Sequence, residues 1–191
     1  MNIVANIVAN IVANIADQLT EGVWYAEGAA FDVAAAVIRR PALFDELFEC
    51  LLSEDRGTCK RAATALEAVS EKRPALFELY ADIVLTELEN HAWWHVRFRL
   101  CPIVPRIKLT RQEFKRAIAL FQSLADHPQN ALAVNALGAL GALVAREGDD
   151  ELRDETLWLI EHKARTGTKA MQARCRQMLP LLRNEEERRS W

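Results

Sequence analysis

Glycine and proline are scarce in this chain, seven and six among 191 residues. A strand-rich sandwich or barrel uses both at its many turns, so their scarcity argues against all-β architecture and towards helices. Cysteine is equally thin. Cys50, Cys59, Cys101 and Cys175 form no CxxC pair and have no zinc-like spacing. Each lies among apolar residues at helical spacing, where a thiol acts as a small hydrophobe, and free buried thiols suit a reducing compartment. No basic stretch followed by an apolar run opens the chain, which argues against a secretory signal. The longest uncharged interior stretch, Gln129 to Ala145, is interrupted by Asn130 and Asn135 and is too short and too rich in Ala and Gly to span a bilayer. The expectation is a cytoplasmic protein without a membrane partner.

Catalytic signatures are missing as well. There is no Ser or Cys in motif spacing with His and a carboxylate, no Gly-rich phosphate loop and no HExxH. The acidic run Asp149-Asp150-Glu151 is what a helix start favours through its dipole. We therefore expect a non-enzyme with no metal and no cofactor.

What is present is helix-forming and ordinary for a folded chain: 51% hydrophobic and 27% charged residues, with Ala, Leu, Glu and Arg prominent. The N-terminus repeats the tetrapeptide Asn-Ile-Val-Ala. As a helix it stacks Ile3, Ile7, Ile11 and Ile15, and its four-residue period drifts about 40° per unit against the helical turn. Pro41 and Pro74 each open an apolar run with the same four residues, PALF, and proline suits a first helical turn. Each run is followed by a second helical segment, TCKRAATALEAVSEK and WWHVRFRLCPIVPRI, the latter kinked by Pro102 and Pro105. Thr110 caps a third pair, and Gly167-Thr168 joins the helices of a fourth. The pair starts at Pro41, Pro74, Thr110 and Asp149 lie 33, 36 and 39 residues apart, the period of a helical repeat array. Residues 22–39 supply the second helix of a first pair. The second helices share an apolar ladder: Ala62, Leu66, Val69; Val96, Leu100, Ile103, Ile107; Ala136, Leu140, Leu143; and Ala173, Met178, Leu181.

The pattern resembles the HEAT branch of armadillo-type helical repeats over residues 31–183. Asp55, Arg61 and the small-residue run AATAL that follows carry the best local match, and Val96-Arg97 repeats part of it. The resemblance implies an all-α, right-handed solenoid of about four to five stacked antiparallel helix pairs. In that frame residues 1–191 make one helical-repeat domain, with a NIVA helix over 1–21, stacked pairs over 22–183 and a frayed charged tail over 184–191.

The segment His91-Ala-Trp-Trp-His-Val-Arg-Phe-Arg draws the eye. Glu87, His91 and His95 are spaced four apart, but Ala92 stands where the zincin glutamate belongs and Asn90-His91 reads as a turn. Both histidines are expected at the surface or as caps. One of Trp93 and Trp94 is expected in the core and the other at the surface; Phe98 falls opposite the apolar stripe, where a neighbouring repeat covers it or a partner does. A basic run follows: Arg97, Arg99, Arg106, Lys108, Arg111, Lys115 and Arg116, with Glu113 the one acid among them. Residues 1–58 carry nine acids and three bases, residues 97–148 three acids and eight bases. Solenoids hold partners in a concave groove, so we expect a protein- or peptide-binding scaffold whose groove is lined by the second helices. Trp93, Trp94, Arg97, Phe98, Arg99 and Arg106 are its candidate binding residues. The alternative is nucleic-acid or phosphate binding through the basic middle repeat, since bases beside aromatics suit phosphates and unstacked nucleobases. HEAT-like DNA glycosylases give that alternative a precedent in repair.

Overall fold

The computed structural model describes residues 14–147 and 150–183. Of the helix expected over 1–21, only Ile15–Thr20 is among them, and the tail over 184–191 lies outside. The described residues form helices, turns and loops, with no strand. They group into two compact units, divided between Leu76 and Phe77.

The first unit contains α1 (Ile15–Thr20), α2 (Ala30–Arg39), α3 (Phe44–Leu51) and α4 (Arg56–Lys72). The Asn14 side chain caps α1 by accepting the Ala16 N–H at 2.8 Å, and the Ile15 N–H donates to Glu46 Oε1 on α3 at 2.6 Å. The expected second helix over 22–39 starts only at Ala30. Gly22 and Gly28 take φ values of +94° and +50°, left-handed conformations that a helix does not accommodate. α2 buries Ala30, Val33, Ala34 and Val37, an i, i+3, i+4, i+7 stripe. Pro41 and Pro74 open short 3-10 turns, Pro41–Leu43 and Pro74–Phe77, rather than α-helix directly. α4 is capped by Asp55, whose Oδ1 accepts the Thr58 N–H and hydroxyl, both at 2.7 Å. These bonds, the hydroxyl first, hold the Asp55 carboxyl below its usual range. α1, α2 and α3 all pack on α4, and Ala62, Ala63, Ala65, Leu66 and Val69 are wholly buried. The four alanine-sized or β-branched neighbours of Leu66 allow that close approach.

Arg61 is the largest buried side chain of this unit, 1% exposed. Its Nε–H donates to the Leu19 carbonyl, and Nη1 and Nη2 donate to the carbonyls of Val23 and Thr20, each at 3.2 Å. The last carbonyls of α1 have no intrahelical donors, and a cation at a helix C-terminus is electrostatically favoured. One guanidinium thus ties α4 to the end of α1.

The second unit contains α5 (Ala81–Asn90), α6 (Trp94–Leu100), α7 (Arg111–Leu124), α8 (Asn130–Glu147), α9 (Asp150–Thr166) and α10 (Lys169–Leu182). The segment expected as a kinked helix stops at Leu100 and resumes as a 3-10 turn, Val104–Arg106, because Pro102 and Pro105 remove backbone donors. Arg146 Nη1 takes the carbonyls of Pro105 and Ile107 at 2.7 and 2.9 Å. Thr110 and Glu113 form a reciprocal capping box on α7. α8 is the central helix, packed on α6, α7, α9, α10 and the 3-10 turn. Gly138 and Gly141 let it meet α10 closely: a β-carbon on Gly141 would lie 3.1 Å from Met178 Cβ.

Three rungs of the expected ladder are fully buried, Ala62/Leu66/Val69, Val96/Leu100/Ile103/Ile107 and Ala136/Leu140/Leu143. The fourth is out of phase. Ala173 and Leu181 are exposed, and α10 instead buries Met171, Cys175 and Leu182. α10 packs mainly against α8 and α9, and Met178 is half-buried against Gly141, so the two glycines of α8 help to set which face of α10 turns inward. All four cysteines are buried, and burial together with Glu46 and Glu49 raises the Cys50 thiol to about 11.

Candidate functional site

Trp93 is the N-cap of α6, Trp94, Arg97, Phe98 and Arg99 lie on it, and Arg106 lies on the 3-10 turn beyond. Trp94 is 38% exposed and meets Phe98 edge-on at 6.4 Å, while Trp93 is half-buried and stacks on His95 at 6.3 Å. Phe98 is half-buried, its carbonyl accepting from Asn135 Nδ2 at 3.1 Å, and the Arg99 guanidinium lies 5.6 Å from its ring. Arg97 Nε donates to the Leu88 carbonyl at 2.7 Å. Arg106 is half-buried on the 3-10 turn. His91 behaves as a cap, its Nδ1 accepting the Trp93 N–H at 3.1 Å. His95 departs from expectation: it is buried, packed between both tryptophans. α5 ends before His91, so Glu87, His91 and His95 do not share a continuous helix. Among the described residues no group of three His, Cys, Asp or Glu side chains could hold a metal.

The basic run does not form one free surface. Arg116 is held by Asp82 at 2.8 Å and Glu89 at 2.9 Å on α5, and Arg97 is spent on the backbone. Lys108, Arg111 and Lys115 remain exposed.

Two clefts lie away from these residues. Along α8 every described side chain from Leu132 to Ala145 is buried or half-buried. α5 packs on α7, and α6 and α10 pack on α8, but α7 and α9 are splayed. Between them run two adjoining clefts of about 480 and 500 Å³, sharing Gln122 and Glu155. Phe114, Ile118 and Ala119 on α7 and Leu152 on α9 give the first its apolar floor. Arg111 and Lys115 stand on the α7 wall, Glu151 and Glu155 on the α9 wall. Trp158 and Leu159 line the second cleft, and Trp158 is 66% exposed with its ring stacked on His162 at 5.7 Å. Both volumes fall in the range of roughly 300–1,000 Å³ typical of binding pockets.

None of the six sequence candidates lines either cleft. The residues that do follow helical stripes, Arg111, Phe114, Lys115, Ile118 and Gln122 on one helix and Glu151, Leu152, Glu155, Trp158 and Leu159 on the other. An apolar stripe of this kind reads in sequence as core. Here Ile118 is buried and Phe114 and Leu152 are half-buried, so the stripe is only partly covered where α7 and α9 make little contact. No protein-family model matches the chain, and no curated protein matches it.

Proposed function

We propose that this chain is a non-catalytic scaffold of the HEAT-like, α-solenoid kind that binds a protein or peptide segment in the cleft between α7 and α9. The observation that carries this reading is the splay itself. Where consecutive first helices would close on each other, an apolar floor and a two-thirds exposed tryptophan stand open. Exposed apolar clefts with a polar rim mark interaction sites, and tryptophan is the residue most enriched at binding hot spots. The mixed charge of the rim favours a polypeptide over a polyanion, because Glu151 and Glu155 would repel phosphate where Arg111 and Lys115 attract it.

The test is a peptide-display selection on the full chain, followed by affinity measurements on the recovered sequences. Trp158→Ala and Ala119→Arg both alter exposed cleft positions. Each should weaken binding at least about tenfold, since truncating a tryptophan hot spot costs about 2 kcal/mol or more. Trp94→Ala and Arg99→Ala should leave affinity within about twofold. The reverse pattern would move the site to α6.

A further inference from the structure

We propose that the occupant of the α7–α9 cleft is an amphipathic helical segment of a partner protein, with an apolar ridge, an acidic edge and a basic edge. This rests on the cleft being the binding site and adds what it selects. Both walls are α-helices whose backbone groups are used internally, so an extended strand would find no edge to pair with. A helix brings its own backbone bonds satisfied and needs only side-chain contacts. Two adjoining clefts along the same pair of helices fit an elongated ridge, and the stacking of Trp158 on His162 holds the aromatic anchor in place before binding.

The charges supply the edge pattern. Arg111 and Lys115 face Glu151 and Glu155 across the cleft, yet none of the four forms an ion pair among the described residues. Elsewhere in the same unit, cations within reach of a carboxylate use it, as Arg116 does with Asp82 and Lys163 with Asp126. Across the cleft no such pair forms among the described residues. A helix laid between them meets a basic wall on one side and an acidic wall on the other, so carboxylates along one edge and ammonium groups along the other complement both.

Three dye-labelled designed helices with the same Leu ridge test this by fluorescence anisotropy on the full chain at low salt. One carries a Glu edge and a Lys edge, one Glu on both edges, one Lys on both. The wild type should bind the mixed helix about tenfold more tightly than either single-sign helix, the sum of several exposed pairs. Arg111→Glu with Lys115→Glu, both exposed positions, makes both walls acidic and should transfer the preference to the Lys-edged helix. Ala119→Arg should abolish binding of all three. If the helices bind and Ala119→Arg blocks them, but the double variant leaves the preference unchanged, the charge pattern is refuted and the cleft reading stands. If none binds while display-selected peptides still do, the helical occupant is refuted alone. Binding indifferent to Ala119→Arg would overturn the cleft itself. Sedimentation showing self-association lost in Ala119→Arg would make the occupant a second copy and overturn the proposal.

Discussion

Arg61 Nη2 lies 2.6 Å from the point where a β-carbon on Gly57 would sit. The side chain cannot swing away cheaply, because its guanidinium is held by three carbonyls at the end of α1 and in the loop beyond it. Gly57 in the first turn of α4 is therefore a consequence of Arg61 on the next turn. Arg61→Met should destabilise the protein by about 2 kcal/mol, by leaving the buried Leu19 carbonyl without a donor and the part-buried Thr20 and Val23 carbonyls without this one. Gly57→Ala should also destabilise in the wild type. In the Arg61→Met background its sign should reverse, since Ala exceeds Gly by about 1 kcal/mol in helix propensity. Urea midpoints of the four proteins measure the coupling. Additive costs would show that Arg61 does not occupy that space.

Asp55→Ala should cost about 1 kcal/mol at neutral pH, the usual loss on removing an N-cap. The Asp55 carboxyl is held below its ordinary value of 3.8, so its contribution is fully present above that value. It is lost as pH falls through the lower folded-state pKa. The gap in stability between wild type and Asp55→Ala should accordingly close as the solution is acidified below about pH 4. Asp55→Asn keeps an acceptor for Thr58 and should stay close to wild type near neutrality. A gap constant down to the acid transition would mean that the charged cap is not what matters.

Thr156→Val should raise stability by about 1 kcal/mol, the cost of a buried hydroxyl without a partner. Thr156 is fully buried on α9, and its Oγ1 has no hydrogen-bond partner among the described residues. Valine keeps the shape and removes the unmet polar atom. Thermal unfolding of the two proteins decides it, and a lower midpoint for the variant would reveal a bond that the hydroxyl makes.

Nucleic-acid binding driven by the basic middle segment would weaken steeply with salt, with a slope near −0.9 per phosphate contacted on duplex DNA. Arg116 and Arg97 are already engaged inside the protein, and the cleft bases face acids. We expect no salt-sensitive binding tighter than about 10 µM to generic duplex or single strands, within the span of non-specific binders. Tight binding abolished by Arg99→Ala with Arg106→Ala would reverse the ranking of the two readings.

Much of the local structure was legible because it depends on neighbours in sequence. Thr110 caps the helix it precedes, and Gly167-Thr168 separates α9 from α10. The apolar stripe Ala62, Leu66, Val69 is buried, because a helix places residues three and four apart on one face. That Pro102 and Pro105 disturb the helix was legible, because each removes a donor wherever it occurs, but that it ends at Leu100 rather than kinking was not. The phase of α10 was not legible. Met171 and Cys175 face inward because Gly138 and Gly141 on another helix leave room for Arg174 and Met178, a relation no local period encodes. The cleft was hidden for the same kind of reason. Phe114, Ile118 and Leu152 carry the pattern of core residues, and whether such a stripe is covered depends on how far apart two helices stand. That distance is set by what each packs against: α7 on α5 and α8, α9 on α8 and α10. The sequence by itself determined where helices form, how they are capped and which faces are apolar. Only the tertiary structure decided which apolar face closes and which stays open, because burial is a property of neighbours distant in the chain.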